Sequence, residues 1–153
     1  MSAVPNPLFV LRPATADDFP AIRRLIRQVG INPLGLDWRR FILAVTPAGA
    51  MIGCGQVKPH GDGSRELASI AVVPEWRNRG VARAIIELLL ENHPGVLYLT
   101  CRPSLEPFYN RFGFRVARPG ELTAYFQRLL RLTSALKRAG VFPGGPLVMV
   151  RGL

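Results

Sequence analysis

The chain holds little cysteine, almost no lysine and few acids. Its 153 residues include 2 Cys, 2 His and 10 Asp plus Glu. Two thiols, Cys54 and Cys101, do not make a disulfide framework or a metal site, so they read as buried, reduced thiols and no metal is expected. Long hydrophobic runs are missing as well. The longest helical apolar cluster, Ala84 to Leu90, is interrupted by Glu87 and is far too short to span a bilayer, so no membrane partner is expected. Met1-Ser-Ala-Val-Pro-Asn-Pro7 lacks the basic region and apolar core of a secretory signal, which leads to an expected cytoplasmic location. No low-complexity tract, repeat or linker divides the chain, so residues 1–153 are expected to form one domain, with the apolar share of 48% that an ordinary core needs.

What is abundant is arginine. Lys58 and Lys137 are the lysines; the other eighteen of the 20 basic residues are Arg, and the formal net charge is +10. Such a balance fits an acidic partner. The arginines are scattered and not interleaved with aromatics, which argues against a nucleic-acid-binding module. An anionic cofactor would use only a few of them.

Periodicity predicts alternating strands and helices. Leu8 to Arg12 reads as a first strand, and Phe19, Ile22, Leu25, Ile26 and Val29 recur at helical spacing up to Gly30. Asp37 is placed to cap a short helix around Trp38 to Phe41. Strands follow at Phe41 to Thr46, Ala50 to Pro59 and Arg65 to Val73, separated by Gly-containing turns. Later come a helix from Val81 to Asn92, a strand from Val96 to Cys101, a short helix from Pro103 to Arg111 and a strand from Phe114 to Ala117. Glu121 to Arg138 repeats Leu122, Phe126, Leu129, Leu130, Thr133 and Leu136 at helical spacing before a closing strand from Pro146 to Arg151.

The most informative stretch joins the strand ending at Val73 to the helix opening at Val81. A helix N-terminus presents unpaired backbone N–H groups and the positive end of its dipole. Gly80 allows an anion close to the backbone, and Arg77, Arg79 and Arg83 add positive charge. The segment reads as a pyrophosphate cradle.

Arg77-x-x-Gly80-x-Ala82 resembles the Arg/Gln-x-x-Gly-x-Gly/Ala motif of the GNAT (GCN5-related) N-acetyltransferases. Phe108-Tyr-Asn-Arg-Phe-Gly-Phe114 resembles that family's second signature, about thirty residues on. The resemblance implies an α/β (α+β) fold with a mixed, splayed central sheet flanked by helices on both faces. The helix before the last strand departs from the tight terminal hairpin of many relatives; it reads as a cover for the sheet edge, a dimer contact or a pocket wall.

The same resemblance implies acetyl transfer from acetyl-CoA to a primary amine, on a small molecule or a protein, by direct attack in a ternary complex without a metal. The pantetheine and acetyl carbonyl would be met by backbone of Ile70, Ala71, Val72 and Val73, with the Val72 N–H polarising the carbonyl. The diphosphate would be met by backbone of Asn78, Arg79, Gly80, Val81, Ala82 and Arg83, after Arg77. Tyr109 is the expected general acid, since a phenol of pKa ~10 can protonate a departing thiolate of ~8.5. Glu66 is the expected general base, needed because an alkylammonium of pKa ~10 must lose a proton before attack. Asp37 and His60 are weaker alternatives for that role. Relatives that modify protein N-termini carry an acid on the next strand, and Val96 to Cys101 has none. Arg102 stands where many relatives have an Asn that contacts the pantetheine, leaving Ser104 as a replacement. The alternatives are a non-catalytic acyl-CoA sensor of the same fold and, less favoured, a nucleic-acid module.

Overall fold

In the computed structural model, residues 8–140 and 144–153 are described. The N-terminal heptapeptide read above for its lack of a signal lies outside them. Among the described residues, seven strands form a mixed sheet in the order β1-β2-β3-β4-β5-β7-β6: β1 Val10–Pro13, β2 Phe41–Val45, β3 Met51–Pro59, β4 Arg65–Val72, β5 Leu97–Cys101, β6 Arg115–Val116 and β7 Leu147–Arg151. Four α-helices among the same residues accompany it: α1 Phe19–Val29, α2 Val81–Asn92, α3 Glu106–Asn110 and α4 Ala124–Arg138. The chain divides into two compact units, Met1–Val57 with Ser69–His93, and Lys58–Ala68 with Pro94–Leu153.

In the first unit, β1, β2 and the start of β3 are antiparallel, with Leu11 opposite Ala44 and Leu43 opposite Cys54. The pattern that made α1 legible also builds its core. Ile22, Leu25 and Ile26 fall on one face and bury against Phe41, Leu43, Val45, Cys54 and Ala71. The helix is entered through a capping box of Thr15 and Asp18, and the Asp18 carboxylate takes a fork from Arg12 at 2.8 and 2.9 Å. That pairing holds Asp18 well below the usual carboxylate range. Gly30, at φ 76, closes the helix.

Helices lie on both faces of β3, and its glycines show why. Cys54 turns toward the α1 cluster. Its neighbours Gly53 and Gly55 turn to α2, so close that a Cβ on Gly53 would sit 2.8 Å from Val81 Cγ1. A Cβ on Gly55 would sit 2.6 Å from Ile70 Cδ1 and 2.8 Å from Ile85 Cγ2. The missing side chains let α2 approach the sheet, burying Val81, Ile85, Ile86 and Leu89.

In the second unit, β7 lies between β5 and β6, antiparallel to both, with Tyr98 opposite Val150 and Arg115 opposite Val150 on its other side. β5 runs parallel to β4 at Glu66↔Tyr98. The terminal strands pair although α4 intervenes between them. Phe126 of α4 is fully buried against Tyr98, Val148 and Val150, with Leu122, Tyr125, Leu129 and Leu130 around it, so the helix covers this part of the sheet.

Several boundaries differ from those the sequence suggested. The strand expected at Phe114 to Ala117 is two residues long, although Ala117 N–H still donates to Val148 O of β7 at 2.9 Å, in register with the ladder. The helix expected from Glu121 begins at Ala124. Glu121 instead ends a 3-10 turn, where its carboxylate accepts from both guanidinium nitrogens of Arg115 at 2.7 and 2.6 Å and from Arg118 N–H at 2.8 Å. Pro103–Leu105 is a 3-10 turn ahead of a shorter α3, and β1 starts at Val10.

The packing of β3 yields a stability test. Gly55→Ala should lose about 1–3 kcal/mol, because the Cβ must displace Ile70 and Ile85. Gly61→Ala, where a Cβ meets nothing within 4 Å, should be near neutral. Urea unfolding of the two variants measures the difference.

Candidate active site

The first unit carries the anion cradle. β4 ends at Val72, and a 3-10 turn, Pro74–Trp76, leads into Arg77-Asn-Arg-Gly80. Asn78 and Gly80 both adopt left-handed backbone, at φ 61 and 80. These two reversals bring the chain tightly into α2. The first helical hydrogen bond is Ala84 N–H to Gly80 O at 3.0 Å, so the amides of Val81, Ala82 and Arg83 precede it, and Gly80 offers them no side-chain cap. A Cβ on Gly80 would meet nothing within 4 Å, so the space beside Gly80 is open. Two of the three arginines are partly engaged. Arg83 pairs with Glu87 at 2.9 Å and Arg79 lies over the Trp76 ring at 5.2 Å, whereas Arg77 is exposed with no side-chain partner among the described residues.

The expected carbonyl and pantetheine contacts lie on the last residues of β4. Val73 N–H donates to Ile52 O of β3 at 2.9 Å. Because amides alternate along an extended chain, the Val72 N–H is directed away from β3. Ala71 faces the α1 cluster, leaving its side chain structural. Just before this segment, Ser69 takes a left-handed φ of 60 in mid-strand. Gln56 Nε2 donates to Ser69 Oγ at 2.9 Å, and the Cys54 thiol, pushed up to about 12 by burial, donates to Ser69 O at 3.5 Å. Gln56 is fully buried, and its Oε1 has no partner among the described residues.

The second unit carries both expected proton-transfer residues. Tyr109 sits on α3 in an aromatic cluster, with Phe108 at 5.0 Å and Phe114 at 6.3 Å between ring centroids. Gly113 makes the turn after α3 at φ 84, and Arg151 Nε donates to Phe112 O at 2.8 Å across it. The Tyr109 side chain is buried, and its hydroxyl makes no hydrogen bond among the described residues. Desolvation, with a smaller contribution from Cys101, pushes its pKa up to about 12.

Glu66 is 5% exposed. Its Oε1 lies 2.8 Å from His60 Nε2, and its Oε2 accepts from Thr100 Oγ1 at 3.4 Å. The two candidate bases treated separately in the sequence are thus hydrogen-bond partners. His60 stacks on Tyr125 of α4 at 3.6 Å and 15°, and meets Phe126 edge-on at 5.7 Å. Asp62 ties the same turn to the helix, since its Oδ2 accepts from Tyr125 N–H at 2.9 Å while its Oδ1 accepts from Ser64 N–H and Oγ. Tyr125 is raised by burial and by the charge of Glu66. The sequence did not single out Tyr125. An aromatic pair opening a helix, with a histidine elsewhere, was the available signal. Asp37 is not part of this group: its carboxylate caps the turn at Trp38–Arg40 and pairs with Arg39 at 3.4 Å and Arg40 at 3.9 Å. Ser104 is exposed on its 3-10 turn. Among the described residues, no group of three or more His, Cys, Asp or Glu side chains could hold a metal ion.

The family model "Acetyltransferase (GNAT) domain" matches residues 37–116, just over half of the chain and the whole span from the Asp37 cap through the cradle and Tyr109 to β6. The chain belongs to the GNAT acetyltransferase family. No curated protein matches the sequence. Among solved structures, N-acetylglutamate synthase from Neisseria gonorrhoeae, complexed with coenzyme A and L-arginine, is similar with a TM-score of 0.74 and 18% identity over 97% of this chain. This GNAT chain covers 34% of that protein, about a third of its length. Rv2747 from Mycobacterium tuberculosis, in complex with CoA, is similar at 0.72 and 23% identity, over 94% of this chain and 99% of that one. A GNAT-family acetyltransferase from Staphylococcus aureus Mu50 is similar at 0.68 and 15%, over 94% and 98%. At these identities the likeness is one of fold.

Two outcomes follow for this GNAT chain. Gly80→Glu should lower acetyl-CoA affinity at least about 100-fold, because it sets a carboxylate before the helix amides, where like charges ~4 Å apart repel by ~4 kcal/mol at intermediate dielectric. The new Cβ has room, and the left-handed φ of 80 costs a side-chain-bearing residue about 1–2 kcal/mol, a loss the fold should survive; isothermal titration measures the change in affinity. Asp62 is held below the usual carboxylate range, first by Ser64 Oγ and then by Tyr125 N–H. A depressed folded pKa gives stability that is present above the unfolded value of ~3.9 and lost as pH falls toward the folded one. Asp62→Asn should therefore be less stable than wild type at pH 6 by less than ~1 kcal/mol, the site being exposed, and the gap should narrow at pH 3. Urea midpoints at the two pH values measure it.

Proposed function

We propose that this protein is an acetyl-CoA-dependent N-acetyltransferase that transfers acetyl to a primary amine by direct attack. The observation that carries this reading is the cradle: an open, left-handed Gly80 directly ahead of three helix amides, inside the segment that matches the GNAT domain. The CoA in the structures of the Neisseria and Mycobacterium proteins supports the choice of cofactor.

In this reading the amides of Asn78 to Arg83 receive the diphosphate, and Arg77 supplies charge. The Val72 N–H polarises the thioester carbonyl, where oxyanion charge develops on attack. Glu66 removes the proton of the acceptor ammonium, directly or through water. Its N–H bond breaks, and the electron pair left on nitrogen attacks the acetyl carbon. The tetrahedral intermediate collapses by breaking the C–S bond, and Tyr109 gives its proton to the leaving sulfur. The extra proton still on the acylated nitrogen returns to the Tyr109 oxygen, leaving a neutral amide.

The burial of Tyr109 sharpens the last step. A phenol at about 12 facing a fully solvated thiolate of ~8.5 would transfer its proton at a cost of about 5 kcal/mol. The transfer becomes accessible when the thiolate is desolvated too, since burial raises a thiol by the same mechanism. The role therefore requires the sulfur to leave in a site closed to water.

Tyr109→Phe tests the acid role while preserving the ring. Turnover should fall ~10²–10⁴-fold with acetyl-CoA affinity little changed, measured as free thiol release across a panel of amines. Glu66→Gln should show a different signature: its loss should be largest at low pH and shrink as rising pH deprotonates the amine without help. Wild-type turnover in Tyr109→Phe would return that residue to a packing role.

A further inference from the structure

The α4 helix does more in the second unit than cover the sheet. Its first turn supplies two rings, Tyr125 and Phe126, whose planes meet at 90°. His60 occupies the corner they make, face to face with the first and edge-on to the second. A ring held on two perpendicular aromatic surfaces cannot turn about its own bond without losing one of them. The same turn is fastened to the helix backbone through Asp62 and Tyr125 N–H. The orientation that results points Nε2 at Glu66 Oε1, 2.8 Å away.

We propose that His60 is a positioning residue for Glu66, held in place by α4, so that this helix belongs to the proton-transfer apparatus. The proposal rests on the reading of Glu66 as the base. A carboxylate as buried as Glu66 needs a hydrogen-bond donor beside it, and the imidazole Nε2–H supplies one. The same bond orients the ring, with Nε2–H facing Oε1. The two oxygens of Glu66 are then unequal. Oε1 is held firmly, whereas Oε2 has the 3.4 Å contact with Thr100 and is the one free to take a proton. In the step itself the acceptor N–H bond breaks, an Oε2–H bond forms, and the electron pair stays on nitrogen. His60 keeps its own proton throughout.

The test uses the full chain and two independent readouts. His60→Gln places an amide N–H near the position of Nε2, and His60→Leu keeps bulk without a donor. Tyr125→Phe keeps the stack, and Tyr125→Leu removes it. With acetyl-CoA and an amine panel, His60→Leu and Tyr125→Leu should lower kcat ~10²-fold with KM for acetyl-CoA unchanged. His60→Gln should recover to within ~10-fold of wild type, and Tyr125→Phe should match it. A His60→Gln variant as impaired as His60→Leu would mean that the ring itself takes the proton and would overturn the positioning role. The second readout is the nitrogen spectrum of the protein labelled with [15N]histidine, which needs no acceptor. The chain has two histidines, so His93→Gln assigns the signals. His60 should show a fixed Nε2–H tautomer that relaxes in Tyr125→Leu and in Glu66→Ala. An unchanged His60 spectrum in both variants would overturn the clamp. The expected spectra with no wild-type turnover on any amine would count against the acetyltransferase reading and leave the clamp standing.

Discussion

The local geometry of β4 depends on one residue in an unfavourable conformation. Ser69 lies in mid-strand at φ 60, a region that costs a side-chain-bearing residue about 1–2 kcal/mol. It is retained because β3 holds it at two points, Gln56 through its hydroxyl and Cys54 through its carbonyl. These two anchors are themselves buried, so they have little freedom to release it. The interruption separates the part of β4 that carries Glu66 from the part that carries Ile70 to Val72. Strain of this kind persists where the surroundings over-determine it. Here the contacts that hold Ser69 are visible atom by atom, while the amide oxygen of Gln56 has no partner among the described residues.

The elements easiest to read were those whose cause is local. The helix Val81 to Asn92 has the bounds the sequence suggested, because a left-handed glycine starts it and an apolar face repeats through it. The same holds for α1, which carries its own capping box and C-terminal glycine. Where the cause is remote the reading drifted. The amide of Tyr125 near the start of α4 is satisfied by Asp62, a residue far away in sequence that belongs to a turn between strands, and no local pattern announces such a cap. Glu121 looked like the start of that helix because it is a good helix former; in the fold Arg115 and Arg118 claim its carboxylate for the preceding turn. Gly53 and Gly55 of β3 are the clearance for α2, a role that shows only once the helix is packed against the strand.

The candidate site was legible in the same uneven way. Cradle and aromatic signature are contiguous motifs, so their candidate residues could be named from the resemblance to the GNAT family. The link between Glu66 and His60 is made by a turn that folds six residues back on themselves, which converts two separate candidates into one hydrogen-bonded pair. Charge was the least legible property. Four acids, Asp18, Asp37, Glu87 and Glu121, are occupied by Arg12, by Arg39 and Arg40, by Arg83 and by Arg115. Most of these are exposed pairs of small energetic value. Charges outside such pairs act through the field they sum to, which fades with added salt.

The two proton-transfer candidates face opposite requirements, and their surroundings differ accordingly. A base must be charged before the reaction, so it needs donors around it and must release one of them when the proton arrives. Glu66 has a short contact from His60 and a longer one from Thr100, and the longer one is the cheaper to give up. An acid must be neutral beforehand, and burial secures that without any partner. Tyr109 is buried among rings and its hydroxyl is unpaired among the described residues, so nothing competes for the proton it would donate. Exchanging the two environments would defeat both roles. A glutamate among those rings would be driven toward its neutral form, and a tyrosine beside His60 would spend its proton on a hydrogen bond already made.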